Sequence, residues 1–399
     1  MKQKVIEKIL DQIDIEKIKN LTKEMIRIEG HRLIPENESK VAEYIAAWLE
    51  KADLNVEVRD VTPGRPNIIC VIKGSGKGYN LMFNGHMDTV PIYGWDTDIE
   101  PFSGVEKEGK IYGRGSSDMK GGIAAAMVAM SAIHQSGIKL KGDVIFTGVI
   151  GEEGGGSIGT KNIVSNGPIP DMAIVCEPTD LNVSIAHRGS SSFVLTTKGK
   201  AAHSATPERG INAILMMADA LQTLRKELSP KLKQRRHRYM GPPTLTPAVI
   251  QGGTRADVVP DFCEVRINYR YPPNEQPEKV KEEIEVILKK LHNKNPEFNA
   301  EINLPGKGPG MEIPRDHMIV NTLMKSIRHA TGKTPKVVGS FFWTDASILV
   351  NQGNIPTALC GPGQEELAHS PNEYVEIDQL YQAAKAYALT IAEICQKTK

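Results

Sequence analysis

The sequence predicts an α/β protein with a mostly parallel sheet, interrupted by an inserted α+β domain. In the first part of the chain, short apolar runs typical of buried strands occur at residues 54–60, 68–73, 81–85, 143–150 and 173–176, with a helical pattern at residues 121–135. Between residues 183 and 304 the pattern changes to four strand-like and two helical segments. The α/β pattern then resumes. Because 399 residues exceed the length over which one core usually grows, two domains are expected.

We therefore expect three segments that build two domains. Residues 1–182 and 306–399 form the first domain, and residues 183–305 form the inserted four-stranded domain. The stretch at residues 305–310, which consists of proline, glycine and one lysine, is predicted as a linker between them.

Composition narrows the possible partners. The chain has 49 basic and 48 acidic residues, so its charge gives no reason to expect binding to nucleic acid or a membrane, and a small-molecule or peptide partner is favoured. Its five cysteines are far apart and form no Cys-x-x-Cys pair, which is typical of a reducing compartment. The longest nearly apolar run, residues 123–133, is too short to span a bilayer. A soluble, cytoplasmic protein is expected.

Two histidines and several carboxylates follow the predicted α/β strands. Considered singly, each has an ordinary explanation: a surface pair for His86 and Asp88, a helix N-cap for Asp118, and a solvated acidic turn for Glu152 and Glu153. Glu177 follows the next strand, and His369 lies near the end of the chain. At one edge of a parallel sheet, these side chains together would suit a pair of divalent, zinc-like ions.

A glycine-rich loop provides two competing signals. Residues 154–159 match Gly-x-Gly-x-x-Gly, and Glu177 lies at the distance expected of a dinucleotide fingerprint, which would predict NAD. Glu152 and Glu153 directly precede the loop, however, and would repel a pyrophosphate. The same loop matches the Gly-x-Ser-x-Gly motif of serine hydrolases around Ser157, but several residues separate this serine from the preceding strand.

The ordered set of motifs resembles the acetylornithine deacetylase and succinyl-diaminopimelate desuccinylase family of dinuclear zinc aminoacylases and exopeptidases. The resemblance covers nearly the whole chain and lies in His-Met-Asp-Thr-Val-Pro at 86–91, the glycine-rich turn at 113–122, Glu-Glu at 152–153, Glu-Pro-Thr at 177–179, Gly-Lys-Ala-Ala-His-Ser at 199–204 and His-Ser-Pro-Asn-Glu at 369–373.

The resemblance implies a zinc-exopeptidase-like catalytic domain and an inserted domain that serves as lid and dimerisation surface. It implies two zinc ions per subunit, replaceable by cobalt or manganese. The implied ligands are Asp118 as the bridge, His86 and Glu177 at one ion, and Glu153 with His369 at the other. Glu152 would be the general base and Asp88 the partner that orients His86.

The resemblance also implies substrate-binding residues in the inserted domain. His203 would stabilise the oxyanion, in many family members from the partner subunit, which requires a homodimer. Arg270 would bind a substrate carboxylate, and Arg266 on the same strand face could take its place. Asp257 stands where the family often has asparagine, so no carboxylate contact is inferred there.

The expected function is metal-dependent hydrolysis of a linear amide that releases an amino acid from an N-acyl-amino acid or short peptide. A dipeptidase or carboxypeptidase of the same fold is the alternative. A dinucleotide-dependent oxidoreductase and a non-catalytic binding relative are the alternatives from other classes.

Overall fold

The computed structural model describes residues 3–35, 37–95, 97–154 and 156–399, which form two compact units. The larger unit runs from the first helix to Ile185 and resumes with Ile313–Val338 and Thr344–Lys399. The smaller unit comprises Ala186–Glu312 and Gly339–Trp343. The predicted insertion spans residues 183–305, and the short return at 339–343 has no counterpart in that prediction.

The larger unit is built on a mixed β-sheet whose centre is parallel. In spatial order seven of its nine strands are Val56–Thr62, Arg65–Ile72, Val144–Val149, Leu81–His86, Met172–Val175, Thr357–Leu359 and Val183–His187, and the other two are Met311–Glu312 and Val337–Ser340. Leu81–His86 lies parallel to both of its neighbours, and strands toward the two edges pair antiparallel. All residues of Leu81–His86 and Val144–Val149 are buried, as expected for central strands covered on both faces. The predicted α/β class is confirmed.

Helices cover this sheet. They are Gln3–Leu10, Ile15–Arg27, Ser39–Lys51, Gly121–Ser136, Ile158–Asn166, Met318–Thr331, Ala346–Asn351 and Ile377–Cys395. Ile377–Cys395 packs against both Gly121–Ser136 and Met318–Thr331. Gly121–Ser136 is almost entirely buried, and its start lies so close to the sheet that a Cβ on Gly122 would come within 2.0 Å of the Cys176 carbonyl oxygen. Only glycine permits that approach.

A small second sheet joins two distant parts of the larger unit. Its antiparallel strands are Val105–Lys107, Lys110–Tyr112 and Tyr374–Glu376. A π-helical turn, Ser116–Lys120, follows soon after Lys110–Tyr112, and a 3₁₀ turn, Glu365–Leu367, precedes Tyr374–Glu376. The pairing therefore brings the segment around residue 118 toward the segment around residue 369.

The smaller unit contains the four strands and both long helices that the sequence predicts. Its antiparallel sheet has the order Thr244–Gly252, Phe262–Tyr271, Gly189–Lys198 and Ala300–Gly308. Ala213–Glu227 and Pro277–Lys294 supply apolar side chains to one core with this sheet, and Ser229–Gln234 is a short further helix. Ala202–His203 and Val258–Val259 form a separate two-stranded ladder.

The predicted linker at residues 305–310 is wrong for most of its length. Ala300–Gly308 is a continuous edge strand on Gly189–Lys198, with a register shift between Asn303 and Gly306. Proline lacks the N–H that a ladder needs, but an edge strand with an irregularity accommodates it. Pro305 and the glycines around it therefore mark a bulge, not the end of regular structure.

Two further features concern the environment of the chain. Over the residues that the structure describes, no helix combines the length and apolar character needed to cross a bilayer. All five cysteines are free and buried. Burial raises the pKa of Cys70, Cys360 and Cys395 to about 12, so these thiols stay protonated at neutral pH.

Candidate metal centre

Adjacent strands of the larger unit deliver most of the predicted ligands to one edge of the sheet. His86 is the last residue of Leu81–His86, Glu152 and Glu153 follow Val144–Val149, and Glu177 follows Met172–Val175. These three strands are parallel neighbours. Their carboxyl ends therefore meet, which is where open α/β sheets usually bind ligands.

Asp118 reaches the same place from the π-helical turn before Gly121–Ser136. Its backbone is non-helical, with φ −118° and ψ 93°, and the Asp118–Met119 peptide is cis. The turn begins after Gly115, whose φ of +86° favours glycine. The N-cap explanation for Asp118 fails, because Lys120 occupies the N-cap position and the Asp118 carboxylate contacts histidines instead.

The five predicted metal ligands form one connected cluster centred on Asp118. Its Oδ1 lies 3.0 Å from His86 Nε2, and its Oδ2 lies 3.3 Å from His369 Nε2. Glu177 Oε1 is 3.6 Å from His86 Nε2, and Glu153 Oε1 is 2.9 Å from His369 Nε2. The two oxygens of one carboxylate thus divide the cluster into two halves.

The two halves differ in exposure. His86 and Glu177 are each only 2% exposed, whereas the His369 side chain is 54% exposed. Hydrogen bonds that His369 donates to the carboxylates of Asp118 and Glu153 raise the pKa of its imidazole to about 10. Burial lowers the pKa of His86, but the carboxylates of Asp118, Glu177 and Glu152 outweigh burial and raise it well above its usual value.

The cluster carries more buried negative charge than its protein neighbours compensate. Burial, reinforced by neighbouring carboxylates, raises the pKa of both Glu152 and Glu177 well above the usual value. Glu177 Oε2 is buried and has no hydrogen-bond partner among the described residues. Such groups are costly unless cations compensate them. The donor set of imidazole nitrogens and carboxylate oxygens fits zinc, cobalt or manganese.

The tautomer of His86 agrees with this interpretation. Its Nδ1 lies 2.9 Å from the backbone carbonyl oxygen of Asp88, an acceptor that requires the proton to be on Nδ1. In the neutral imidazole this leaves the lone pair on Nε2, the nitrogen that faces Asp118 and the one that a metal ion would bind.

Asp88 contacts His86 in a different way from the one that the sequence predicts. The partner of the imidazole is the Asp88 backbone, and the nearest carboxylate oxygen is 3.8 Å from His86 Nδ1. The carboxylate instead accepts the backbone N–H groups of Glu152 and Glu153, at 3.2 and 3.0 Å. Asp88 thus fixes the segment that presents both glutamates.

Three buried charged residues around Asp118 received no role from the sequence. Glu373 accepts the backbone N–H groups of Ser117 and Asp118 and pairs with Arg114. Lys120 donates from Nζ to the carbonyl oxygens of Met25 and Ile28, and burial lowers its pKa to about 7. The available signal was the presence of Arg114 and Lys120 in a glycine-rich turn next to an apolar helix, where a solvated cation is unexpected.

Asp345 adds a further buried carboxylate near the cluster. It lies at the N-cap position of Ala346–Asn351 but makes no capping hydrogen bond with its side chain. Its Oδ2 accepts the hydroxyl of Thr160 at 2.7 Å. Its charge contributes to the raised pKa of Glu152 and Glu177. Asp345 therefore occupies the cap position without capping the helix through its side chain, and it belongs to the electrostatic surroundings of the cluster.

The predicted substrate-binding residues lie in the smaller unit. His203 is exposed, and its Nδ1 accepts the backbone N–H of Ala205 at 3.0 Å. Arg266 and Arg270 lie on the same, more exposed face of Phe262–Tyr271. Arg266 Nε donates to Glu264 at 3.2 Å and Arg270 Nε to Asn268 at 3.1 Å.

The glycine-rich loop supports neither of its competing functions. Gly155, in the middle of the motif, lies outside the described residues. The carboxylates of Glu152 and Glu153 lie in the cluster, where they disfavour a pyrophosphate. Ser157 is fully buried, so its hydroxyl is not presented as a nucleophile.

Comparisons with known proteins agree with the geometry. The model of peptidase family M20/M25/M40 matches residues 82–393. An N-formyl-4-amino-5-aminomethyl-2-methylpyrimidine deformylase of Halalkalibacterium halodurans is 32% identical over 100% of this chain and 99% of its own. An acetylornithine deacetylase of Proteus mirabilis is 31% identical over 89% of this chain and 90% of its own. The crystal structure of a Bacillus subtilis dinuclear metal binding peptidase from the M20 family has a TM-score of 0.71 at 17% identity, covering 96% of this chain and 99% of that one.

The contacts of Asp88 lead to a testable expectation. Asp88→Ala removes the acceptor of two backbone N–H groups, so Glu152 and Glu153 lose their fixed position. We expect kcat to fall about 10- to 100-fold, the usual range for groups that orient a metal site. Asp88→Asn, which keeps one side-chain oxygen, should lose less. Kinetics together with metal content would check this, and equal rates for Asp88→Ala and the native protein would contradict it.

Proposed function

The chain belongs to peptidase family M20/M25/M40, and from this premise we propose that it hydrolyses the amide bond of an N-acylated small molecule, with two divalent metal ions bound by the cluster around Asp118. Membership makes the chain a metal-dependent amide hydrolase. The identity of the acyl group, the number of ions and the choice of zinc are the finer parts of the proposal.

One observation carries the proposal. Asp118 presents one carboxylate oxygen to His86 and the other to His369, and each histidine has its own glutamate. An arrangement with one shared carboxylate and two similar halves suits two ions better than one. The B. subtilis family member described as a dinuclear metal binding peptidase supports the same number. We propose zinc because imidazole and carboxylate are its common ligands in hydrolases, with cobalt or manganese as substitutes.

Bound ions would supply Lewis acidity, which lowers the pKa of water and polarises an amide carbonyl. The chain itself must move the protons. Among the described ion pairs of the cluster around Asp118 none involves Glu152, and burial together with neighbouring carboxylates raises its pKa. A carboxyl group with a raised pKa can accept a proton from the attacking water and return it to the leaving amine. Glu152 is therefore our candidate general base.

His203 is the candidate for stabilising the oxyanion. Because its Nδ1 accepts the Ala205 N–H, the neutral ring carries its proton on Nε2. That leaves an N–H donor on an exposed side chain, which is the kind of group that an oxyanion requires. By resemblance to the family, this donor would serve the active site of the partner subunit.

An N-acyl-amino acid is the first candidate substrate. The acetylornithine deacetylase of P. mirabilis is a relative at 31% identity, and Arg270 offers a guanidinium suited to a free α-carboxylate. Arg266, on the same strand face, is the second candidate for this contact.

An N-formylated aminomethylpyrimidine is the second candidate, supported by the H. halodurans relative, which aligns over the full chain. The smaller unit also has a feature suited to a flat ring. The Arg188 guanidinium lies 4.9 Å from the ring centroid of Phe341, whose side chain is 54% exposed. Arg188 is held by the carbonyl oxygens of Met240 and Pro242. An exposed aromatic ring such as that of Phe341 can pack in an offset stack on a heteroaromatic ring.

The smaller unit is also the candidate dimer surface. Thr244–Gly252 is an edge strand with almost every residue exposed, including Val249 and Ile250. Leu215 on Ala213–Glu227 is 63% exposed. Exposed apolar edge strands promote aggregation unless they are covered. We propose that a second copy covers this strand about a two-fold axis.

We propose that the protein is located in a reducing compartment, most simply the cytoplasm. The cysteines are all free, as expected where thiols stay reduced.

The decisive experiment measures amine release from a panel of N-formyl, N-acetyl and N-succinyl compounds, before and after chelation and metal restoration. The panel should include N-acetylornithine and the N-formyl aminomethylpyrimidine. Metal-dependent turnover of one of them would identify the acyl group. Bound metal without turnover of any amide would favour the non-catalytic alternative.

Glu152→Gln tests the proton transfer. The substitution keeps the shape of the side chain but removes its basicity, so kcat should fall by about 10² or more. Both metal ions should remain bound, because Glu152 is not among the proposed ligands. Metal analysis of the same sample is the control. Activity close to that of the native protein would remove Glu152 from this role.

Arg270→Ala distinguishes the two candidate substrates. For an amino acid with a free α-carboxylate, KM should rise about tenfold or more, since a charge-assisted bond is lost. For the aminomethylpyrimidine, which has no carboxylate, KM should change little. Arg266→Ala is the matched control on the same strand face. A larger effect in that control would transfer the contact to Arg266.

Ile250→Asp tests the dimer surface. A buried, unpaired carboxylate at the centre of the proposed interface should produce monomers, measured by light scattering at several protein concentrations. Val58→Asp is the matched control, because Val58 is a similarly exposed apolar residue on a strand of the larger unit. An unchanged dimer in Ile250→Asp, or a monomeric native protein, would contradict the proposal.

A further inference from the structure

Arg114 and Glu373 form a buried ion pair beside the metal cluster. Arg114 is 1% exposed and Glu373 is fully buried, and Arg114 Nη1 lies 2.6 Å from Glu373 Oε2. The two residues are 259 positions apart in the chain. Neither is among the proposed ligands, and neither is needed for the proton transfer assigned to Glu152.

The pair contacts both segments that carry the central ligands. Glu373 Oε1 accepts the backbone N–H groups of Ser117 and Asp118, at 2.9 and 3.0 Å. Arg114 Nη2 donates to the backbone carbonyl oxygen of His369 at 3.3 Å. One end of the pair therefore holds the backbone of Asp118, and the other end holds the backbone of His369.

The backbone at both ends needs such support. Asp118 has a non-helical backbone inside a helical turn, and His369 has a φ of +63°, in the left-handed region that β-carbon-bearing residues rarely adopt. Such conformations persist only where surrounding contacts determine them. The Gly113 N–H also donates to the Glu373 carbonyl at 3.0 Å, which ties the two segments together again.

A buried ion pair is a poor device for general stability. The attraction between two buried charges largely offsets only the cost of removing them from water. Apolar residues of similar size often stabilise a protein to the same extent. Such a pair does impose a specific geometry, since Glu373 uses both carboxylate oxygens and Arg114 both terminal nitrogens on fixed partners.

We propose that Arg114 and Glu373 are positioning residues that set the distance between Asp118 and His369, and thereby the metal affinity of the exposed half of the cluster. This inference rests on the proposed function, because it requires that the cluster bind metal. The other half shares Asp118, but among the described hydrogen bonds and ion pairs the pair contacts neither His86 nor Glu177, so this half should depend on it less.

The test is a titration of metal-free protein with Co²⁺ alone, followed by calorimetry and by the visible absorption of the bound ion. Arg114→Lys keeps the positive charge but replaces the two nitrogens that bind Glu373 and the His369 carbonyl separately with a single one. Glu373→Gln keeps an oxygen for the two backbone N–H groups but loses the ion pair. In both variants the weaker-bound ion should lose about 10- to 100-fold in affinity, while the tighter-bound ion changes little.

Lys120→Met is the matched control. Lys120 is a buried cation in the same turn whose charge also interacts with Glu373, but its described Nζ hydrogen bonds go to the carbonyl oxygens of Met25 and Ile28. Its loss should lower the melting temperature and leave both Co²⁺ affinities near their native values. A merely structural role of the pair would produce this same result in Arg114→Lys and Glu373→Gln.

The outcomes separate the two proposals. Native affinities for both ions in folded Arg114→Lys and Glu373→Gln would overturn the positioning role and leave the proposed function intact. A native protein that binds no Co²⁺ would overturn the proposed function and the positioning role with it. If either Arg114→Lys or Glu373→Gln does not fold, the Co²⁺ affinities of the other variant decide the test.

Discussion

The shared carboxylate of Asp118 is the interaction on which the rest of the site depends. Its two oxygens face histidines that come from opposite ends of the sequence, His86 and His369. To present both oxygens, Asp118 adopts a non-helical backbone conformation within the helical turn that precedes Gly121–Ser136. The small sheet at Lys110–Tyr112, the Gly115 turn and the close approach at Gly122 all serve to place this one side chain.

Burying several carboxylates close together costs free energy, and neighbouring backbone and side-chain groups offset part of that cost. Asp88 and Glu373 each accept two backbone N–H groups, Glu373 faces Arg114, and Asp345 accepts the Thr160 hydroxyl. Burial and neighbouring carboxylates nevertheless raise the pKa of Glu152 and Glu177 well above the usual value, and that of Glu373 to about 7. Glu177 Oε2 has no hydrogen-bond partner among the described residues, and we propose that bound cations compensate the central carboxylates.

The sequence was sufficient for the fold class and for placing four residues of the cluster at the same ends of neighbouring strands, because both depend on local order. Strand patterns predict where a chain emerges from a parallel sheet, and His86, Glu152, Glu153 and Glu177 follow such strands directly. Asp118 and His369 required the resemblance to a family. The contact between Arg114 and Glu373 could not be predicted, because periodicity does not indicate which buried charges meet across 259 positions. Asp88 shows a second limit: spacing placed it beside His86, but only the folded loop shows that its carboxylate faces Glu152 and Glu153.

The buried cysteines can be used to measure how often each part of the folded chain opens to water. With thiolates suppressed by burial, alkylation must wait for a local or global fluctuation that exposes sulfur to water. Cys263 belongs to the smaller unit and the other four to the larger, so the labelling rate of each cysteine follows a different part of the molecule. Mass spectrometry of labelled peptides would then give the opening free energy of each unit separately, without any probe being introduced.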